Sequence, residues 1–214
     1  MQIDIITLYS NFWLNLKYPI IYKSIKKKKI KIKIYNLKKY FKKIDDYQYG
    51  GGFGMILKIE PFYKLINFLK KKNKYEHIIF LTPDAPLYKN KYAKKLASKK
   101  KILFISGYYK GIDQRIRDLF ITKEFSIGKF ILSCGDLAIL IIIDSIIRFI
   151  PGVLGNIKST YTDTYNNKYY YEYPLYTRPY NFKNILVPKI LLSGNHKKIL
   201  NWRKKKILKK KGTK

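Results

Sequence analysis

Short apolar runs alternate along most of this chain with segments whose apolar residues recur every three to four positions. The runs are rich in β-branched residues and predict strands at residues 3–8, 30–35, 77–81, 101–106 and 130–133. The periodic segments predict helices at residues 11–25, 61–71, 89–98, 112–120 and 136–149. Such alternation indicates an α/β fold with a mainly parallel sheet and helices on both of its faces.

The periodicity disappears at residues 156–173, which are polar and rich in tyrosine and predict a linker loop. Beyond it, the sequence predicts an extended stretch and then a short helix around residues 196–206, followed by a tail that is nearly all lysine. We therefore expect one α/β domain over residues 1–155 and a short C-terminal segment over residues 174–214.

The charge of the chain favours a polyanionic partner. The 46 Lys and Arg residues outnumber the 13 Asp and Glu residues and give a formal net charge of +33. A surface this basic attracts nucleic acid through counterion release. The lysines come with an excess of Ile, Asn and Tyr, a pattern expected from an AT-rich genome, so the charge alone does not decide the function.

The cysteine and histidine content excludes several classes of protein. One cysteine, Cys134, cannot form a disulfide framework, and the two histidines, His77 and His196, cannot complete a zinc cluster. The N-terminus shows no secretory signal, and the longest apolar run, residues 137–150, is too short for a bilayer and carries two charges. We expect a cytoplasmic protein without a membrane span.

A glycine-rich segment at residues 45–55 reads DDYQYGGGFGM. It lacks the third glycine of a dinucleotide fingerprint and the Gly-Lys-Ser/Thr of a nucleotide P-loop, so by itself it indicates a flexible turn. With its flanks, it resembles the DDxxYGGGxGM element of the tRNA (guanine-N1)-methyltransferase family, the TrmD type of the knotted SPOUT superfamily.

Other elements of that family follow in the same order. Residues 107–115 (GYYKGIDQR) resemble its GxYEGIDER element, and residues 126–138 (SIGKFILSCGDLA) resemble SIGDYVLxGGELA. Residues 143–155 resemble the helix and turn that come next, residues 176–179 match YTRP, and residues 191–203 match LLSGNHxxIxxWR. The resemblance covers about residues 1–203, and so many elements in one order make a chance similarity implausible.

The resemblance implies a deep trefoil knot, a homodimer, S-adenosylmethionine as cofactor and tRNA, not DNA, as partner. In the family, backbone groups of three loops hold the cofactor. The corresponding residues here are Pro83, Gly107, Gly111, Ser126, Ile127, Gly128, Lys129, Phe130, Ile131, Leu132 and Gly135. The resemblance implies no protein-held metal, although it suggests that Mg²⁺ assists the reaction.

The resemblance also implies two catalytic residues. Guanine N1 carries a proton, so a general base must remove it and a cation must stabilise the charge that develops on O6. By resemblance the base is Asp163, eight residues after Gly155, and the cation is Arg148. A lone Asp in a polar loop is more often a turn residue, and Arg148 is spaced to pair with Asp144 one helical turn earlier.

The scarce acidic residues are not scattered at random. Seven of the 13 occupy positions where the family pattern also has an acid. They are Asp45, Asp46, Glu60, Asp113, Asp136, Asp144 and Asp163. In a chain so rich in lysine, this placement favours a working site.

Four departures from the family pattern stand out. Lys110 replaces the Glu of GxYEGID and would weaken cofactor binding if that Glu faces the amino group of the methionine moiety. Gln114 replaces a second acid, Tyr47 replaces an Arg, and the chain ends soon after the WR element. The rival hypotheses are a catalytically degenerate knotted RNA-binding protein and a knotted methyltransferase acting on a ribose hydroxyl.

Overall fold

The computed structural model of the chain describes residues 1–14, 18–155, 165 and 172–212, with side chains through residue 207. The chain forms two compact units, residues 1–155 and residues 156–214. None of the described helices has both the length and the apolar composition needed to cross a bilayer.

A five-stranded parallel sheet forms the centre of the first unit. Its strands are β1 (Gln2–Thr7), β2 (Lys31–Asn36), β5 (His77–Leu81), β6 (Lys101–Ile105) and β7 (Lys123–Phe125), in the order β2-β1-β6-β5-β7. All four pairings are parallel, which confirms the predicted α/β class. Two further strands, β3 (Asp45–Tyr47) and β4 (Met55–Leu57), form a separate antiparallel hairpin.

Helices cover both faces of this sheet. They are α1 (Ser10–Leu14), α2 (Pro19–Lys26), α3 (Leu37–Tyr40), α4 (Ile59–Lys72), α5 (Asn90–Ala97), α6 (Gln114–Phe120) and α7 (Gly135–Ile147). Successive strand residues point to opposite faces. Ile3 and Ile5 therefore pack in one core cluster with residues of α1, α2, α5 and α7. Ile6 packs in a second cluster with residues of α3, α4 and α6.

Two predicted elements are wrong. Residues 130–133 form an irregular loop in which Phe130 is 54% exposed and Ile131 is 79% exposed, so their apolar run does not mark a buried strand. The fifth strand of the sheet is instead β7. Its three residues include Lys123 and Glu124, so apolar and polar positions do not alternate in a way that predicts a strand. The helix predicted over residues 11–25 is two helices, because Pro19 starts α2 and holds the preceding residue in an extended conformation.

The second unit contains a small hairpin of β8 (Asn181–Phe182) and β9 (Ile185–Leu186), a 3-10 turn at Lys189–Leu192, and α8 (His196–Gly212). The side chain of Asn195 caps α8 by accepting a hydrogen bond of 3.0 Å from the backbone N–H of Lys198. The helix predicted to begin at this Gly-Asn-His sequence is confirmed.

Candidate active site

A cavity of about 550 Å³ opens where β6, β5 and β7 end. These three strands are neighbours and parallel, so their carboxyl ends meet at one edge of the sheet, where ligands bind in open α/β folds. Residues 82–83, 107–111 and 126–135 contribute most of the lining, and Gly54 and Met55 of the β3–β4 hairpin complete one side.

Backbone hydrogen bonds tie the three loops to one another. The N–H of Gly135 donates to the carbonyl of Gly107 at 2.9 Å. The N–H of Ser126 donates to the carbonyl of Pro86 at 3.0 Å, and the N–H of Tyr88 donates to the carbonyl of Ser126 at 2.8 Å. The cavity therefore has a preformed wall, because its backbone groups are held in place by one another rather than by solvent.

The glycine-rich hairpin is attached to the same wall. The N–H of Leu57 donates to the carbonyl of Gly111 at 3.1 Å, and the N–H of Asp113 donates to the carbonyl of Leu57 at 3.0 Å. The N–H of Lys110 donates to the carbonyl of Met55, also at 3.1 Å. The motif at residues 45–55 and the motif at residues 107–115 thus form one structural unit beside the cavity.

Gly135 is a glycine because two backbone segments meet there. A Cβ added at this position would lie 2.8 Å from the backbone N of Gly107 and 3.2 Å from the Cα of Ser106. Neither atom belongs to a flexible side chain that could move aside. Gly135 is also the first residue of α7, one residue before the start predicted from the sequence.

Next to Gly135, the buried carboxylate of Asp136 joins α7 to α1, to β1 and to the loop after β6. Asp136 is 1% exposed and accepts hydrogen bonds from the Trp13 indole N–H at 2.7 Å and from the Thr7 hydroxyl at 3.0 Å. The hydroxyl of Tyr108 donates to the same carboxylate. Burial and this carboxylate raise the pKa of Tyr108, which therefore stays protonated and keeps its loop against α7.

Arg117 of α6 links β7 to the loop that follows β5. Its guanidinium donates two hydrogen bonds of 2.7 Å to Glu124 of β7 and two of 3.1 and 3.2 Å to Asp84. It also lies 5.7 Å from the ring centroid of Phe80, which lines the cavity. Nothing in the sequence marks this residue beyond a basic position on a helix, and the family resemblance does not include it.

Ten of the eleven residues matched to the family's cofactor site line this one cavity. They are Pro83, Gly107, Gly111, Ser126, Ile127, Gly128, Phe130, Ile131, Leu132 and Gly135. The eleventh, Lys129, belongs to the same loop, but its side chain is exposed and is not part of the lining. Cys134 also lines the cavity and packs against the second core cluster, consistent with a packing role.

The two residues matched to catalytic roles are placed differently. Arg148 is the C-terminal cap of α7. Burial raises the pKa of the nearby Asp144, and the charge of Arg148 offsets part of that increase. Asp163 lies outside the described residues. Within the part of the chain that the structure describes, there is no group of three or more His, Cys, Asp or Glu side chains that could hold a metal ion.

The family model for tRNA (Guanine-1)-methyltransferase TrmD matches residues 1–214, the whole chain. The chain belongs to this family. Among curated tRNA (guanine-N(1)-)-methyltransferases, it is similar to that of Christiangramia forsetii, with 46% identity over 95% of this chain and 92% of that protein. It is also similar to that of Anoxybacillus flavithermus, with 38% identity over 98% of this chain and 88% of that protein.

The chain is also similar to the curated tRNA (guanine-N(1)-)-methyltransferase of Carboxydothermus hydrogenoformans. The two are 41% identical over 97% of this chain and 83% of that protein. Each alignment therefore spans both compact units, including the second unit that follows residue 155.

Proposed function

We propose that this chain transfers a methyl group from S-adenosylmethionine to N1 of guanine 37, the nucleotide on the 3′ side of the anticodon of a tRNA. Membership of the family supports this reaction, and the relatives from C. forsetii and A. flavithermus carry a tRNA guanine-N1 activity in their names. The observation that carries the proposal is the single cavity that collects ten of the eleven residues matched to the cofactor site.

The cavity suits S-adenosylmethionine in size and chemistry. Its volume of about 550 Å³ is in the range of small-molecule sites. Gly107 and Gly111 line the cavity without side chains that would obstruct a ligand, and Phe80 and Leu132 offer apolar surface to an adenine ring. We assign cofactor binding to the ten lining residues and to Lys129, which lies between two of them.

The reaction requires a base and a cation at the guanine. The bound cofactor supplies an electrophilic methyl group on its sulfonium. We assign removal of the N1 proton to the carboxylate of Asp163, and stabilisation of the charge on O6 to the guanidinium of Arg148. A guanidinium has five N–H donors, so an interaction of Arg148 with Asp144 is compatible with this role.

Several further features follow from the family resemblance and belong to the same proposal. The first unit would contain the deep trefoil knot, two copies of the chain would form the working dimer, and the enzyme would act in the cytoplasm with help from Mg²⁺. The lysines of α8 would add phosphate contacts that hold tRNA without reading its sequence.

The proposal is tested by single-turnover methyl transfer to a tRNA transcript, comparing wild type with Asp163→Asn. The amide keeps the size of the side chain but cannot accept the N1 proton, so the rate should fall by about a hundredfold or more at saturating cofactor and tRNA. The dissociation constant for S-adenosylhomocysteine should stay the same.

Asp118→Asn is the matched control, because Asp118 is an exposed carboxylate of α6 outside the cavity lining. It should methylate at the wild-type rate. An Asp163→Asn variant that also methylates at the wild-type rate would remove Asp163 from the mechanism. Binding of tRNA without methyl transfer by wild type would favour the catalytically degenerate RNA-binding protein.

A further inference from the structure

Lys110 is the one charged side chain that lines the cavity within the described part of the first unit. The other lining residues are apolar or uncharged, so its ammonium group is the one formal charge in the lining. No carboxylate of the described residues forms an ion pair with it. The cavity therefore presents one cation that no described carboxylate neutralises.

The Lys110 side chain lies against the glycine-rich hairpin. A Cβ added at Gly54 would be 3.3 Å from Lys110 Cγ and 3.4 Å from Lys110 Cε, so the aliphatic stem passes directly over this glycine. Gly54 has a φ of +90°, a conformation that favours glycine, and its lack of a side chain leaves room for the stem of Lys110. The backbone N–H of Lys110 is fixed to Met55, which holds the side chain at the cavity wall.

S-adenosylmethionine carries one anionic group, the carboxylate of its methionine moiety, together with a cationic ammonium and a cationic sulfonium. A lone ammonium in the cavity attracts the first and repels the other two. We propose, on the basis of the function proposed above, that Lys110 recognises the carboxylate of the cofactor and thereby selects ligands that carry it.

If Lys110 has this role, it should affect the binding of two adenosine thioethers differently. S-adenosylhomocysteine has the carboxylate, whereas 5′-deoxy-5′-methylthioadenosine has the same adenosine and sulfur but no amino acid. Lys110 should strengthen binding of the first ligand and leave binding of the second unchanged. A general effect of surface charge would not separate the two.

The test is calorimetric titration of both ligands into the full chain of wild type, Lys110→Met and Lys110→Arg. Met keeps most of the stem and removes the charge, so the dissociation constant for S-adenosylhomocysteine should rise by about three- to tenfold, as expected for a charge-assisted hydrogen bond at a partly open site. The constant for methylthioadenosine should not change, and Lys110→Arg should retain most of the affinity for S-adenosylhomocysteine. Lys95→Met, an exposed lysine of α5, is the control with the same change of charge.

Equal weakening of both ligands, or no change in either, would overturn the proposal. So would a loss of tRNA affinity in Lys110→Met at an unchanged affinity for S-adenosylhomocysteine, because the counter-ion would then be an RNA phosphate. Hydrogen exchange with S-adenosylhomocysteine separates this failure from failure of the proposed site. If the ligand protects residues 107–113 and 126–135, the cavity is the cofactor site whatever Lys110 does; without that protection, the site itself is wrong.

Discussion

Gly135 shows how one residue type shapes the candidate site. Its missing side chain lets the start of α7 approach the loop after β6, and the hydrogen bond from Gly135 to Gly107 depends on that approach. We predict that Gly135→Ala lowers the free energy of unfolding by about 1–3 kcal/mol, because its Cβ would overlap backbone atoms that cannot turn away. Gly155→Ala, where an added Cβ meets no atom within 4 Å, should change it by less than about 0.5 kcal/mol. Urea unfolding of both variants measures the difference, and equal values would contradict the packing described at Gly135.

Asp136 is the second residue on which the site depends. Three donors converge on its carboxylate, and an amide in its place can accept hydrogen bonds through only one of its two end atoms. Asp136→Asn should therefore cost about 1–3 kcal/mol of unfolding free energy in a urea titration. The exposed Asp118→Asn is the comparison, with an expected change below about 0.5 kcal/mol. A match between the two variants would mean that the buried network contributes nothing.

The sequence indicates which residues line the cavity better than it indicates their hydrogen-bond partners. Gly107, Ser126 and Gly135 could be proposed because they lie in contiguous motifs that resemble those of the family. The bonds from Trp13 and Thr7 to Asp136 could not, because they join positions separated by 123 and 129 residues and arise only when α1 and β1 pack against α7. No periodicity or local spacing encodes such contacts.

Arg117 acts between elements, since it joins α6 to β7 and to the loop after β5. We predict that Arg117→Gln lowers the free energy of unfolding at neutral pH by about 1–3 kcal/mol, because two carboxylates lose charge-assisted hydrogen bonds. Arg117→Lys, which keeps the charge but loses the two-pronged geometry, should cost less. Urea unfolding at neutral pH checks this order, and an equal loss in both variants would show that the geometry of the fork is not needed.

The loss of stability in Arg117→Gln should depend on pH. The Thr82 hydroxyl and then Arg117 lower the pKa of Asp84 below its ordinary value of 3.8. A lowered pKa in the folded state stabilises the protein above the unfolded-state pKa and loses that effect as the pH falls through the folded-state pKa. The stability gap between wild type and Arg117→Gln should therefore narrow below about pH 4. Urea titrations at several acidic pH values test this, and a gap that widens there would contradict it.

The elements themselves were predictable where their patterns are long. α4, α5, α7 and the inner strands lie within a few residues of the predicted positions, because burial on one or both faces imposes a clear period. β7 was missed because it is three residues long and two of them are charged. The strand predicted at residues 130–133 was wrong because an apolar run that lines a cavity resembles, in sequence, one that fills a core.

At the scale of the whole molecule, the net charge of +33 should govern how tRNA binds rather than which nucleotide is methylated. We predict that tRNA affinity falls by roughly three orders of magnitude between about 50 and about 200 mM salt, as expected if about six phosphates are contacted. Filter binding with a substrate tRNA and a non-substrate tRNA measures the two slopes, which should be similar. A salt-independent affinity would show that the excess of lysine has no role in binding tRNA.

The identity of the methylated nucleoside is the sharpest test of the proposed reaction. Methyl-labelled S-adenosylmethionine would be incubated with the full chain and with two tRNA transcripts that differ only in carrying guanine or adenine at position 37, followed by digestion and nucleoside analysis. We predict labelled 1-methylguanosine from the first transcript and no label from the second. A label on a ribose, on another base or equally on both transcripts would contradict it, as would the absence of any product at saturating cofactor.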